Sequence, residues 1–446
     1  MASASRAQFS SKLGFIMAAA GSAVGLGNVW GFPTQAASNG GAVFLMVYLV
    51  MVAVLALPML IAELTIGRYG QASPLRSIAS IWPKRSKLPV GFGLLGLLTA
   101  LMILSFYSII AGWLVGYLIS PVLEFAGFHS AASWLETFGL ERNLILALVF
   151  IGLTMKVVMS GVTEGIERWS SRLMPVLVGL FVIMILYILT QDGAMDGLKM
   201  YLIPDISHFS ADLVVGAMGQ AFFSLSLGVT VMMVYGSYLP KDVNIPKTAA
   251  QVAAIDTGIA FGAGLLILPA MFVAQKHGVH IYDEAGQLLN SDTLVFTVLP
   301  AMFDTMGSAG ILVGILFFAL MLIAALTSSI SMLEVPVSCA IEELGHSRKK
   351  AVWWIGGVAL ALAAAIVFNF GTLFGLVITI STVYLQPLLG LVWAICAGWV
   401  WNRAGLLEEI RQGNPEIADS LFWKLWPNYL RYVCPILMGL VFWVTI

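Results

Sequence analysis

Eleven stretches of the chain stay apolar for long enough to cross a bilayer core, which takes about 17–25 helical residues. They are 14–37, 42–68, 90–122, 143–160, 172–190, 213–239, 247–275, 308–342, 351–367, 371–400 and 428–446. None alternates apolar and polar with period two, so each predicts a helix. Lipid admits only helices or closed barrels, because every backbone N–H and C=O must be satisfied within the protein. Residues 1–13 are polar, and no small-residue cleavage site follows them. They predict a cytoplasmic tail ahead of one domain, 14–446, with no cleaved signal.

Two of these stretches are broken in the middle. The first contains GSAVGLGNVWGFP, from Gly21 to Pro33, with four glycines and a proline in 13 residues, a poor continuous helix. The sixth contains FFSLSLGVT, from Phe222 to Thr230, where three hydroxyls and a glycine occupy the centre. Breaks at corresponding places predict two five-helix halves of inverted topology, roughly 14–190 and 213–400, with helix 11 at 428–446 outside the repeat. A binding site then lies between the breaks. Helix packing through the GxxxG of Gly21 and Gly25 accounts for those two glycines. It leaves Gly27, Asn28, Gly31 and Pro33 unexplained.

Composition supports the membrane reading: 60% of residues are apolar and 10% charged, where an average soluble domain is about a quarter charged. A net charge of −1 excludes a nucleic-acid reader, which needs a basic face. The apolar content excludes a disordered chain. With the N-terminus inside, inner loops hold 18 of the 22 Lys and Arg, including Arg68, Arg76, Lys84, Arg85 and Lys87. Outer loops hold Arg142, Lys199 and Lys276 beside 11 acids, and Lys156 snorkels from the fourth span. This asymmetry places the N-terminus in the cytoplasm and the protein, as a multi-pass chain, in the cell inner (plasma) membrane. Cys339, Cys396 and Cys434 suggest no disulfide framework. The histidines fall in polar loops, and His277 and His280 read as solvated residues rather than half a metal site.

The segments themselves resemble a known family. Gly21–Pro33 looks like the first helix of the neurotransmitter:sodium symporters, and the bacterial amino-acid transporters such as the leucine transporter are the nearest in kind. The likeness continues in order through IAELTIGRYG (61–70), SFYSIIAGW (105–113), GQAFFSLSLG (219–228), YGSYLPKD (235–242) and LTSSISMLE (326–334). Any one segment is weak alone; six in register are not. The family usually has twelve spans, and eleven is a variant among bacterial members. The expected fold is thus an all-α integral membrane protein with eleven transmembrane helices, an inverted repeat and unwound helices 1 and 6.

The resemblance implies two Na⁺ sites, built from the hard oxygens this cation prefers. One takes the carbonyl of Ala23, the side chains of Asn28, Ser224 and Asp256, and the substrate carboxylate. The other takes the carbonyls of Gly21, Val24 and Ala324 and the hydroxyls of Thr327 and Ser328. On residue type alone, Thr327 and Ser328 would back-bond to their own helix; the match at the first break turns the reading to ion binding. Asp256 sits in an apolar span, where acids are functional by default. Family members often carry a neutral Asn there, and animal members place chloride beside it, so a fixed carboxylate implies chloride-independent transport. Glu63 is expected to hold the unwound part of helix 6 through backbone N–H groups. Glu334 has no derivable role.

For the substrate, the family pattern puts a carboxylate on the backbone of Leu26 and Gly27, the hydroxyl of Tyr107 and the first sodium. The amine meets carbonyls near Ala23, Phe223 and Ser226. Gly25 stands where monoamine carriers have an aspartate, which favours an amino acid or an amino-acid-like zwitterion. Ile103, Phe223, Val229, Ser328 and Met332 form an apolar side-chain pocket, in which Val229 leaves room for a larger group. The inner gate resembles Arg6 with Glu342, supported by Tyr238. The outer gate departs from the pattern: Gly31-Phe32-Pro33 replaces R-F-P, and no acid lies between Leu344 and Leu407. Closure then falls to Tyr107, Phe223 and Trp30, or the substrate carries its own polar group into that space. The expected activity is sodium-coupled import by alternating access. Its rivals are a sodium-dependent sensor or channel-like protein on the same fold and, much less suited to these residues, a membrane-embedded enzyme. The implied partners are a small zwitterion and the bilayer, with no nucleic acid. The oligomeric state is not readable.

Overall fold

A computed structural model describes residues 6–83, 87–281 and 294–445, the side chains of 304, 305, 308 and 445 excepted. The first five residues of the tail, and Lys84, Arg85, Asp283, Glu284 and Asp292 among the loop charges, lie outside the described residues. All regular structure among the described residues is helical. The chain opens on a broken pair, α1 (Lys12–Ala23) and α2 (Gly27–Ser38), bent by 54°. Then follow α3 (Ala42–Gly70), α4 (Leu88–Phe125), α5 (Leu140–Met159) and α6 (Val162–Ile188). A second broken pair is α7 (Ala211–Ser224) and α8 (Val231–Ser237). Next come α9 (Ile245–Lys276), α10 (Ser308–Leu344), α11 (Arg348–Phe368) and α12 (Phe370–Val400). Three shorter helices follow: α13 (Arg403–Arg411), α14 (Leu421–Asn428) and α15 (Cys434–Thr445).

Eight of these, α3–α6 and α9–α12, are long and apolar enough to cross a membrane, and the bent pair makes a ninth candidate. They coincide with expected spans 1–5 and 7–10. Span 6 is met by two shorter pieces, and span 11 lies in a helical run over 421–445 in which a π-helical turn, Tyr429–Val433, joins α14 to α15. At 1.5 Å per residue, α4 (38 residues) is about 57 Å long, well beyond a hydrocarbon core of about 30 Å. α10 packs along α4, and α8 along α3. The last contact is backbone on backbone. A Cβ on Gly67 would sit 1.9 Å from the Met233 carbonyl oxygen, and one on Gly236 would sit 2.4 Å from that of Leu64.

The helices start where side chains meet orphan N–H groups. Ser11 accepts from the Gly14 N–H at 2.9 Å, Ser210 from Leu213 at 3.1 Å and Asn244 from Lys247 at 3.0 Å. They stop at the breaks for equally local reasons. Val24 turns extended (φ −69°, ψ 103°). Between α7 and α8, Ser226 (φ +51°), Gly228 (φ +80°) and Thr230 (φ +59°) are left-handed, which no right-handed helix continues.

Two charges are not where the sequence suggests. Arg68, counted with the inner loops, lies in the last turn of α3 and is fully buried. Arg142 was expected in an outer loop, but it lies in the first turn of α5, 1% exposed. Its Nε donates to the Leu135 carbonyl at 2.8 Å, and its guanidinium lies 4.8 Å from the Phe138 ring centre. A carbonyl and an aromatic face replace water, so the helix begins before its apolar run does. His129 likewise opens a short helix, His129–Glu136, rather than lying in a loop.

Candidate functional site

The two breaks face each other, and side chains from elsewhere meet the backbone groups they free. At the first break the Leu26 N–H donates to the Tyr107 hydroxyl at 3.3 Å, and the Gly25 N–H to Asn28 Oδ1 at 3.2 Å. The Ser22 carbonyl accepts from Ser226 and Ser328, both at 3.0 Å. The Gly27 carbonyl accepts from Gln220 at 3.0 Å. At the second break the Leu227 carbonyl accepts from Gln386 at 2.9 Å, and the Gly228 N–H donates to Glu63 at 2.8 Å. Irregular backbone at membrane depth needs such partners. For Glu63 the contact is a single N–H, not several; its second oxygen is buried without a hydrogen-bond partner.

Between the breaks lies a cavity of about 30 Å³. All eleven residues expected around a substrate line it: Ala23, Gly25, Leu26, Gly27, Ile103, Tyr107, Phe223, Ser226, Val229, Ser328 and Met332. Asn28, Ser224 and Gln386 complete the wall. The glycines are the close walls. A Cβ on Gly25 would meet Ser328 Oγ at 2.6 Å, and one on Gly27 would meet the Phe223 ring at 2.7 Å. Phe223 and Met332 are only half-buried, and Met bends easily, so these two side chains are the ones free to make way for a guest.

The residues expected at the first cation site come together. Asn28 Nδ2 donates to Asp256 Oδ1 at 2.7 Å and to Ser224 Oγ at 2.8 Å, and Ser224 donates to Asp256 Oδ2 at 2.7 Å. Asp256 is wholly buried. The residues of the second set also gather. Ser328 donates to the Val24 carbonyl at 3.1 Å, and a Gly21 Cβ would touch the Thr327 side chain. Thr327 itself donates back to the Ile323 and Ala324 carbonyls at 3.1 and 3.0 Å, the back-bonding weighed above. Its oxygen still has lone pairs for a cation.

On the tail side, Arg6 contacts Glu342, donates to Ser237 Oγ at 3.0 and 2.7 Å, and lies over the Tyr238 ring at 4.7 Å. Burial lowers the Arg6 pKa, opposed by Tyr238 and Glu334. Tyr238 donates to Glu334 at 2.6 Å, and Arg348 pairs with the same carboxylate. Glu334, without a role in the sequence, thus joins the gate tyrosine to α11. Glu167 is a second residue that the pattern conceals. It accepts from the backbone N–H and hydroxyl of both Ser10 and Ser11, at 2.7–3.2 Å, and pins the tail to α6. Glu167→Ala is expected to speed hydrogen–deuterium exchange over residues 8–15 by about tenfold or more, since four bonds to one carboxylate vanish together. Unchanged exchange would show that the remaining contacts, those of Arg6 and Phe9 and the Thr163 bond to the Gln8 carbonyl, are enough to hold the tail.

On the opposite side, Trp30 packs edge-on against Phe296 at 5.6 Å, within a cluster that includes Trp113, Tyr117 and Phe318. Gln220 lies against Gly31, 3.8 Å from where its Cβ would be. An amide therefore occupies the space beside the departure from R-F-P. Gln220 and Gln386 had one signal in the sequence: each is a polar residue in an apolar run.

The model of the sodium:neurotransmitter symporter family matches residues 6–137 and 125–446. The uncharacterized sodium-dependent transporter YhdH of Bacillus subtilis is 35% identical over 98% of this chain and 96% of its own. An uncharacterized sodium-dependent transporter of Haemophilus influenzae is 32% identical over 98% of this chain and 97% of its own. The crystal structure of MhsT in complex with L-phenylalanine superposes with a TM-score of 0.85 at 36% identity, covering 99% of this chain and all of that one. With the broken helices, the likeness is continuous from the tail to the last helix, and the chain belongs to the sodium:neurotransmitter symporter family of sodium-coupled membrane transporters, which are not enzymes.

Proposed function

We propose that this protein carries an amino acid with an apolar side chain into the cell together with two sodium ions, by alternating access and without chloride. The observation that carries the reading is the juxtaposition at the breaks: Asp256, Asn28 and Ser224 hydrogen-bonded to one another beside a cavity whose wall includes the Leu26 and Gly27 backbone. In this reading the chain has eleven spans in one domain, 14–446, built from the inverted halves 14–190 and 213–400, and its N-terminus is cytoplasmic in the plasma membrane. Sodium at Asp256 neutralises a buried carboxylate and presents a positive charge to the substrate carboxylate. The second ion, among Gly21, Val24, Ala324, Thr327 and Ser328, bridges α1 to α10. Arg6, Glu342 and Tyr238 close the inner side, and Glu63 steadies the α7–α8 break. Opening that side rocks α1 and α7–α8 against the rest. Each sodium entering with the field contributes about 2.3 kcal/mol per 100 mV.

L-Phenylalanine is the first substrate to test, because MhsT was crystallised with it and Val229 is a small wall residue that leaves room for a large side chain once Phe223 and Met332 move aside. Proteoliposomes with an inward sodium gradient are expected to accumulate radiolabelled L-phenylalanine, to stop when choline replaces sodium, and to continue when gluconate replaces chloride. Accumulation that ignores sodium would overturn the reading. Sodium-dependent binding without accumulation would make the protein a sensor. Val229→Phe is expected to lower phenylalanine uptake about 10–200-fold, the range for crowding an apolar pocket, while a small amino acid such as alanine loses little. Equal losses for both would remove Val229 from the side-chain pocket.

A further inference from the structure

The end of α12, the start of α13 and the π-helical turn Tyr429–Val433 between α14 and α15 enclose a polar pocket of about 180 Å³, remote from the cavity between the breaks. Arg403 and Arg431 both line it, with Trp399, Trp401 and Asn428. Neither arginine has an acid within salt-bridge distance among the described residues. The Arg431 guanidinium carbon lies over the Trp399 ring at 4.0 Å and near that of Tyr432 at 5.6 Å, and Arg403 lies 5.7 Å from the Trp423 ring centre. Arg431 Nε is buried and has no hydrogen-bond partner. Trp399 and Tyr432 are about half exposed, as aromatics are at a membrane–water interface. The Tyr69 ring lies 4.8 Å from Trp401. Ser73, just beyond the same end of α3, donates its N–H to Glu342. The pocket therefore opens on the side of the N-terminal tail, which the charge asymmetry makes cytoplasmic.

Across α14 lies a second feature. A groove of about 380 Å³ runs between α3 and α14, lined by Ala53, Leu57, Ile61, Leu421, Leu425 and Trp426 among others. Its polar rim is already satisfied: Trp426 donates to the Pro58 carbonyl at 3.3 Å and Tyr429 to that of Val54 at 2.6 Å. The groove thus offers carbon alone. Trp426 and Tyr429 line the groove, while Pro427 and Asn428 line the pocket. Cations without an acid partner on one side of α14 and an apolar trough on the other match the two ends of a single kind of molecule.

We propose that this protein binds an anionic phospholipid of the cytoplasmic leaflet, with its phosphate between Arg403 and Arg431 and an acyl chain in the α3–α14 groove. Guanidinium groups are suited to phosphate because they offer paired N–H donors, and no acid competes for those of Arg403 or Arg431 among the described residues. A basic pocket among helices on the cytoplasmic side is the setting in which such headgroups bind.

The test uses the full chain in nanodiscs containing equal amounts of dioleoylphosphatidylglycerol and dioleoylphosphatidylcholine, with retained lipid counted by native mass spectrometry. The wild type is expected to retain phosphatidylglycerol selectively. The double variant Arg403→Gln, Arg431→Gln is expected to lose about fivefold in affinity for each arginine with no change for phosphatidylcholine. Its sodium-dependent thermal shift reports whether it is folded. If it is not folded, Leu425→Trp, which fills the groove, is expected to reduce retention of phosphatidylglycerol instead. Equal retention of both lipids by the wild type, or undiminished selectivity in a folded double variant, overturns the proposal. Displacement of phosphatidylglycerol by millimolar glycerol 1-phosphate also overturns it, because the site would then take a soluble phosphate rather than a lipid.

Discussion

Asp256→Asn is expected to raise the sodium concentration needed for half-maximal thermal stabilisation by at least about tenfold, and to make the remaining response depend on chloride. Asp256 is wholly buried in α9, where a charged residue costs about 2.5–3.5 kcal/mol on insertion scales. Its hydrogen-bond donors, Asn28 and Ser224, are neutral, and neutral donors do not cancel a full charge. A sodium ion does. At 4 Å and an effective dielectric of 20 the attraction between unit charges is about 4 kcal/mol, so losing even a third of it costs about a factor of ten. Asparagine keeps the shape and one acceptor oxygen, so the change isolates charge. A mobile anion near the vacated charge would then substitute for the carboxylate. The measurement is a melting curve titrated with sodium in a choline background, run in chloride and again in gluconate. A midpoint equal to that of the wild type in both would remove Asp256 from the ion site.

What could be read from the chain and what could not divide along a physical line. Glycine and proline weaken a helix locally, so their density from Gly21 to Pro33 announced the first break to within a turn, although the extended residue is Val24 and Gly27, Gly31 and Pro33 are themselves helical; Gly228 with its flanking hydroxyls marked the second. Once the breaks were placed, the family pattern brought Ile103, Tyr107, Val229 and Met332 to the same cavity from other helices. Polar residues whose function depends on a distant partner gave no such sign. Glu167 looks like a loop acid beside Arg168, yet it holds Ser10 and Ser11. Glu334 is one acid in an apolar helix until Tyr238 and Arg348 are seen against it. Arg142 borders its apolar run, and hydropathy assigns it to water although a carbonyl and an aromatic ring hold it inside. Hydropathy reports the average medium of a segment. It does not report which of its few polar groups have found each other.

Breaking the Arg68–Glu409 pair is expected to have the largest effect on stability. Arg68, at the end of α3, is 0% exposed in its side chain, and Glu409 of α13 is 1% exposed. Arg68 Nε donates to Glu409 Oε1 at 2.7 Å and Nη2 to the Glu409 carbonyl at 2.5 Å, while Nη1 reaches the Val243 carbonyl. Lys241 donates to Glu409 Oε2 and to the Arg68 carbonyl, both at 2.9 Å. Three segments distant in sequence thus meet at one ion cluster: α3, the connection from α8 to α9, and α13. Removing one partner of a buried pair leaves the other charged and unsolvated, which costs about 3–5 kcal/mol. Replacing both with apolar groups removes the two fully buried charges together and leaves only Lys241, whose side chain is 36% exposed and can turn to water. Glu409→Leu is therefore expected to lower the melting temperature in detergent sharply, and Arg68→Met, Glu409→Leu to recover most of the loss. The two single changes and the double change form a cycle whose coupling term separates the ion pair from the packing of each side chain. If the double variant melts as low as the sum of the single changes implies, the cluster acts through its backbone contacts to Val243 and Arg68, and the charges themselves contribute little.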